Sequence, residues 1–116
     1  MPDYDFRILA ALMASAVLEE ILFRLGVHET LLRRPKLRTT PLVKLTAANL
    51  MTAALIAVTH GVFRSWLLGC AVLPIALAIG VLYERYRRVW PCIAVHALMN
   101  LIWFLAGPNL LAIISS

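Results

Sequence analysis

Four apolar stretches separated by charged loops constrain the fold of this chain more than any other feature of its sequence. Their approximate limits are Ile8–Val27, Leu45–Phe63, Trp66–Tyr83 and Trp90–Leu105. Each is close to the ~20 residues that an α-helix needs to cross the hydrocarbon of a bilayer. The sequence therefore predicts an all-α, polytopic membrane protein, a bundle of four transmembrane helices in a single domain over residues 1–116.

The composition supports a membrane protein over a soluble one. Hydrophobic residues make up 62% of the chain and mean hydropathy is +0.86, well above the usual globular mix. The acidic opening segment MPDYDFR is untypical of a cleavable signal peptide. The motif GPN at Gly107–Asn109 predicts a break after the fourth stretch. Cys70 and Cys92 form no metal-binding spacing and are expected to be two free, buried thiols.

The basic residues predict an orientation in the membrane. Eight of the 11 Lys and Arg residues lie in the loops at residues 26–44 and 84–89. Lys and Arg mark the cytoplasmic side, so we expect a multi-pass protein of the cell inner membrane with both loops cytoplasmic and both termini external. Basic residues that cluster between apolar stretches fit topology, and we expect no nucleic-acid partner despite the net charge of +5.

A few strongly polar residues inside the apolar stretches need an explanation. A charge at the bilayer centre costs from ~2.5 to more than 10 kcal/mol, so such residues normally face the bundle interior and mark function. They are Glu19, Glu20, Arg24, Asn49, His60, His96 and Asn100.

Helical spacing separates the two adjacent glutamates. Glu20 and Arg24 stand four residues apart, with the acid first, which is the favourable order for an ion pair. Glu19 points about 100° away and has no basic partner one turn along, so it is left to act as a general base. The alternative is that both glutamates only bind Arg24 and fix helix packing.

The histidines extend this pattern to two further stretches. His60 lies in the second stretch, and HALMN places His96 and Asn100 on one face of the fourth. A base together with donors for a water and an oxyanion is typical of a hydrolytic site. His28 and Glu29, just past the first stretch, are expected to lie at the interface and contact lipid head groups.

Three motifs in order resemble the CPBP intramembrane proteases, also called the Abi family, which include the type II CAAX prenyl endopeptidases. EEILFR resembles the family's E-E-x-x-F-R box, ALIAVTHG its second motif, and GVLYERYRRVWPCIAVHALMNL its third region. The second motif departs from the family pattern at Ile56, where phenylalanine is usual. The chain keeps only the four-helix core of larger members, so it is similar to small bacterial members.

The resemblance implies an endopeptidase that cuts in or near the membrane. Glu19 would activate water, with help from His60, while His96 and Asn100 position that water or stabilise the oxyanion; Glu20 and Arg24 would support the site. No cofactor is then needed, although zinc held by Glu19, His60 and His96 is an alternative. The expected partners are the lipid bilayer and a membrane-associated protein substrate, for example one with a C-terminal sorting signal or a lipidated tail.

Two other functions compete with the protease. A non-enzymatic assembly or immunity protein would use the polar cluster to pack helices. A small proton-coupled transporter subunit would relay protons through Glu19 and the histidines, but the sequence shows no internal repeat of the kind that transporters carry. The substrate, the cleavage site, the oligomeric state and the pathway do not follow from the sequence.

Overall fold

The computed structural model describes residues 6–40 and 44–115, with the side chains of residues 6–40 and 44–106. Helices make up this part of the chain and it contains no β-strand. The elements in chain order are α1 (Phe6–Glu20), a π-helical segment (Ile21–His28), α2 (Glu29–Leu32), a 3₁₀ turn (Pro35–Arg38), α3 (Ala47–Phe63), α4 (Trp66–Tyr86) and α5 (Val89–Ser115).

The four predicted helical stretches are confirmed as helices, with one correction at each end of the chain. The first stretch continues through the π-helical segment, hereafter the π segment, and α2, so it ends at Leu32. The predicted break at Gly107–Asn109 is wrong, because α5 runs through it to Ser115. A proline removes one N–H donor from a helix, and apolar helices within a membrane tolerate that loss.

Local signals explain where α3 and α4 begin and where α4 ends. The hydroxyl of Thr46 accepts from Asn49 N at 3.0 Å, and Ser65 caps α4 by accepting from Leu68 N at 3.1 Å. Arg87 has φ of 53° in the left-handed region, which ends α4. With Ser65 as the cap of α4, the α3–α4 connection has only two residues, Arg64 and Ser65.

Two helices, Trp66–Tyr86 and Val89–Ala106, are long and apolar enough to cross a bilayer, and the apolar α3 is shorter at 17 residues. Large apolar side chains such as Phe63, Trp66 and Trp90 are exposed on the outside of the molecule. An apolar exterior is what a lipid environment requires. The four-span membrane bundle itself stays a prediction.

Small residues allow α3 and α4 to pack closely as an antiparallel pair. A Cβ on Gly69 would lie 2.6 Å from the carbonyl oxygen of Ala57, and one on Gly61 would lie 2.2 Å from the Trp66 ring. A Cβ on Gly80 would lie 1.8 Å from Asn49 Oδ1. Glycine at these positions brings the helices together in the manner of membrane helix interfaces.

Buried apolar side chains in the described part of the chain form two clusters. One contains Phe23, Ala53, Ile56 and Ala76, and the other contains Leu32, Ala48, Ile79, Tyr83 and Cys92. Cys70 and Cys92 are both free, as predicted, but Cys70 is exposed on α4 and only Cys92 is buried.

Candidate active site

A cavity of about 560 Å³ lies between α1, α3, α4 and α5 and extends to the α3–α4 connection. Its lining is mostly apolar, with side chains such as Ile56, Val72 and Met99. All six residues that the sequence nominated for catalysis or support line this one cavity: Glu19, Glu20, Arg24, His60, His96 and Asn100. Polar side chains from α1, the π segment, α3 and α5 are thus brought together.

The predicted pair of Glu20 and Arg24 is confirmed. Arg24 Nε donates to Glu20 Oε1 at 3.1 Å, and the two side chains are 0% and 3% exposed. A buried charge pair of this kind needs further hydrogen bonds to offset its desolvation. Arg24 Nη2 supplies one of them by donating to the carbonyl oxygen of Ala76 on α4 at 2.9 Å.

His96 lies between the two adjacent glutamates. Its Nδ1 is 2.6 Å from Glu20 Oε2, and its Nε2 is 3.2 Å from Glu19 Oε2. Each contact requires a hydrogen, so either the ring carries both protons or one carboxyl group is protonated. Glu19 is therefore not without a partner, as its helical spacing had suggested, because His96 reaches it from α5. Its side chain remains 34% exposed, so it is open to the cavity.

His60 enters the cavity from α3, near the end of that helix. Its Nδ1 is 2.9 Å from the carbonyl oxygen of Ile56. Because a carbonyl oxygen only accepts, Nδ1 carries a proton, and the second nitrogen, Nε2, is the acceptor in the tautomer with a proton on Nδ1 alone.

Asn100 ties α5 to α1. Its Nδ2 donates to the carbonyl oxygen of Leu12 at 2.9 Å. One amide N–H and the Oδ1 atom then remain for other partners. The side chain thus has a packing role in addition to any catalytic one.

The expectation that His28 contacts lipid head groups is wrong, whereas for Glu29, which is partly exposed, that expectation stays a prediction. His28 is 0% exposed; its Nδ1 lies 3.2 Å from Arg24 Nη1, and its Nε2 lies 2.7 Å from Glu84 Oε2. The helix continues past Val27, so His28 faces the interior instead of the interface. The repeated spacing of four residues from Glu20 to Arg24 to His28 was the sequence signal for this network.

Glu29 joins the same end of the molecule through different partners. Tyr83 OH donates to Glu29 Oε1 at 2.6 Å, and Arg87 Nη2 donates to the same oxygen at 2.8 Å. Burial opposes ionisation of Glu29, but these hydrogen bonds outweigh it and hold the pKa of Glu29 below its ordinary value. Glu29 is therefore an ion-pair anchor between α2 and the end of α4.

The described side chains do not form a zinc site. No three His, Cys, Asp or Glu residues among them are grouped closely enough to hold a metal ion. Both ring nitrogens of His96 face carboxylates, and one nitrogen of His60 bonds a carbonyl. Zinc held by Glu19, His60 and His96 would therefore require these side chains to move from the described arrangement.

An apolar exterior and a cavity lined by glutamate, histidine and asparagine are what a membrane-embedded hydrolase would need. The chain matches the family described as type II CAAX prenyl endopeptidase Rce1-like over residues 4–102, and it belongs to this family of membrane proteases. Neither the comparison with curated proteins nor that with solved structures found a match.

Proposed function

We propose that this protein is a glutamate-type intramembrane endopeptidase in which Glu19 activates the attacking water. The observation that carries the proposal is the convergence of Glu19, His60, His96 and Asn100, from three helices, on one cavity. Family membership supports protease activity in general. The assignment of individual roles rests on the geometry around these four side chains.

The proposed reaction proceeds through protein side chains and water. The Glu19 carboxylate takes a proton from water as its oxygen attacks the peptide carbonyl carbon. His60 Nε2, the free acceptor, orients that water. The remaining N–H of Asn100 donates to the oxyanion of the tetrahedral intermediate. The C–N bond then breaks, and the leaving amine takes back the proton held between Glu19 and His96.

The cavity lining supports a membrane-associated protein as the substrate. Most of the wall is apolar, and aromatic and aliphatic side chains such as Trp103 and Leu68 lie toward the α3–α4 connection. An apolar segment buries surface there at a gain of about 25 cal/mol per Å². A protein with a C-terminal sorting signal or a lipidated tail supplies such a segment.

Replacing Glu19 by glutamine tests the proposal. Wild type and Glu19→Gln are co-expressed with candidate tail-anchored and lipidated substrates, and cleavage is scored by the size of the product. We expect Glu19→Gln to lose ~10²–10⁴-fold in rate, the usual contribution of a positioned base, while the protein stays folded. Asn100→Ala should lose ~10²–10³-fold and keep measurable activity.

Glu29→Gln is the matched control, because it removes a carboxylate that pairs with Arg87 outside the cavity. It should cleave at close to the wild-type rate. Cleavage by Glu19→Gln at the wild-type rate would refute the mechanism.

A second candidate function is a non-enzymatic assembly protein. The bonds of Asn100 to Leu12, and of Arg24 to Ala76, cross between elements and favour this reading, since such bonds stabilise membrane helix packing. Such a protein would keep its function in the Glu19→Gln variant, because glutamine preserves the shape and a hydrogen-bonding oxygen. The same experiment therefore separates the two functions.

We also propose an inner-membrane orientation with the loops at residues 26–44 and 84–89 cytoplasmic. The distribution of Lys and Arg supports it. Residues 1–5 and 116 lie outside the described residues, so the external position of both termini rests on the sequence. Cysteines placed at Lys36 and at Ser116, in a Cys70→Ser background, are labelled from outside intact cells. We expect labelling at position 116 alone, and labelling at position 36 alone would reverse the orientation.

A further inference from the structure

The Arg24 guanidinium is fixed by a separate acceptor at each of its three nitrogens. Nε reaches Glu20, Nη2 reaches the carbonyl oxygen of Ala76, and Nη1 reaches His28 Nδ1 at 3.2 Å. The planar fork of an arginine holds its donors at fixed angles, so three acceptors determine its orientation. With none of this side chain exposed, water cannot replace a lost acceptor.

The contact with Arg24 determines the tautomer of His28. A guanidinium only donates, so Nδ1 of His28 must be the acceptor and its proton must lie on Nε2. That Nε2–H then donates to Glu84 Oε2 at 2.7 Å. A ring with both nitrogens protonated would place an N–H, and a positive charge, against the guanidinium. His28 is therefore a neutral ring that links a cation on one side to a carboxylate on the other.

Glu84 connects these hydrogen bonds to both α4 and the start of α3. It lies on α4, and its Oε2 also accepts from Thr46 Oγ1 at 2.6 Å. The same hydroxyl caps the first turn of α3. The carboxylate of Glu84 does not line the cavity, so it would act on the reaction through other residues.

The π segment changes the angular spacing of Glu20, Arg24 and His28. In an α-helix a step of four residues overshoots a full turn by about 40°, so Glu20 and His28 would lie about 80° apart. The wider π turn, seen in the bond from Glu29 N to Arg24 O, offsets this drift. Glu20, Arg24 and His28 therefore follow one another toward α4.

We propose that His28 and Glu84 are positioning residues of the active site. They hold Arg24 in the orientation that places Nε against Glu20. Glu20 in turn shares a hydrogen bond with Nδ1 of His96 and so orients the ring that faces the proposed base. The part of this inference that concerns rate depends on the proposed protease function, whereas the hydrogen-bonded linkage from Glu84 to His96 does not.

Nitrogen-15 NMR of the purified full chain, labelled at histidine, tests the linkage without any substrate. The chain has three histidines, and single substitutions assign their signals. We expect His28 to show a protonated Nε2 and an unprotonated Nδ1. In Glu84→Leu the ring-nitrogen signals of His96 should shift, although Glu84 does not touch that ring. In Glu84→Gln, which keeps an acceptor oxygen, they should stay close to wild type.

Thr52→Val is the matched control for the loss of a buried polar group. The Thr52 hydroxyl is fully buried and bonds only the carbonyl oxygen of Ala48 in its own helix. Its replacement should leave the His96 signals unchanged. If Glu84→Leu does not fold, the tautomer of His28 in the wild-type protein still decides the matter. A protonated Nδ1 on His28, or unchanged His96 signals in folded Glu84→Leu, would overturn the proposal.

Kinetics on a cleaved substrate supply the second arm. Glu84→Leu should lower kcat by ~10–100-fold, the effect of a small misplacement of catalytic groups, with KM little changed because the cavity wall is intact. Glu84→Gln should recover most of that loss. If Glu84→Leu keeps the wild-type kcat while Glu19→Gln is inactive, the positioning role is contradicted and the proposed protease function is not. If the wild-type protein shows no Glu19-dependent cleavage, the proposed function fails. The hydrogen-bonded linkage from Glu84 to His96 is then tested by the NMR result alone.

Discussion

Replacing Arg24 by methionine removes a fully buried cation and leaves its partners in place. Glu20 keeps only the contact with His96, which it shares with Glu19. Two carboxylates then face one imidazole, in a region where Glu20 is 2% exposed. The substitution therefore tests whether the charge and hydrogen bonds of Arg24, and not its side-chain volume, hold the π segment against α1 and α4.

The expected loss can be bounded from the contacts. Three hydrogen bonds at the ~0.6 kcal/mol average for membrane helix contacts give about 2 kcal/mol. An uncompensated buried carboxylate raises the cost to ~3–5 kcal/mol. We therefore expect Arg24→Met to lower the free energy of unfolding by about 3–5 kcal/mol, a larger effect than the hydrogen bonds alone explain.

Reversible unfolding in mixed micelles with increasing dodecyl sulfate, followed by tryptophan fluorescence, measures this loss. The double variant Arg24→Met with Glu20→Gln removes both charges and should regain at least ~1 kcal/mol over Arg24→Met alone. Arg24→Lys keeps the positive charge but not the planar guanidinium, so its free energy of unfolding should lie between those of wild type and Arg24→Met. Arg24→Met losing less than ~1 kcal/mol would refute the reasoning. So would a double variant whose loss equals the sum of the losses of Arg24→Met and Glu20→Gln, each measured alone.

Three further outcomes follow from local contacts. Gly80→Ala should destabilise the protein by ~1–3 kcal/mol, since its Cβ would overlap Asn49, and Asn49→Ala should recover part of that loss in the same unfolding assay. Because the folded-state pKa of Glu29 is lowered, its stabilisation is present above the unfolded-state value of ~4.3 and is lost as pH falls through the folded-state value. Glu29→Gln should therefore lose less stability between pH 7 and pH 3 than wild type, and an equal loss would contradict the pairing. A membrane-permeant maleimide should label exposed Cys70 in the folded protein and Cys92 only after unfolding, as mass spectrometry of the labelled chain would show.

The helices and the convergence of the site were predictable because the membrane leaves few alternatives. A polar group in hydrocarbon is costly, so Glu19, His60 and His96 had to face one another if their stretches were helical. The pairing of Glu20 with Arg24 follows from spacing alone. Each of these inferences depends on side-chain chemistry that can be read directly from the sequence.

The π segment was not predictable in the same way. Side-chain periodicity reports which face of a helix is apolar, whereas the change to i→i+5 bonding is a property of the backbone. Without it, His28 appeared to lie beyond the helix, at the interface. Its partner Glu84 stands 56 residues away in the chain, so no local pattern in the sequence connects the two residues.

The partner of Glu19, His96, was missed for a related reason. Spacing within α1 showed correctly that no base follows one turn later, but it carries no information about α5. His96 was placed in the interior and assigned a role toward water, and its two short contacts with carboxylates came only from the packing of α1 on α5.

Arg24 and His28 form hydrogen bonds with α4 at two points, the carbonyl oxygen of Ala76 and the carboxylate of Glu84. These points are eight residues apart, about 12 Å along the helix axis. Two separate contacts fix both the axial position and the rotation of α4 relative to the first helix. A single inserted or deleted residue between them would turn one contact by about 100° away from its partner. Insertions and deletions between Ala76 and Glu84 should therefore be disfavoured, and those in the loops tolerated. The number of residues from Ala76 to Glu84 sets the register of α4 against the first helix.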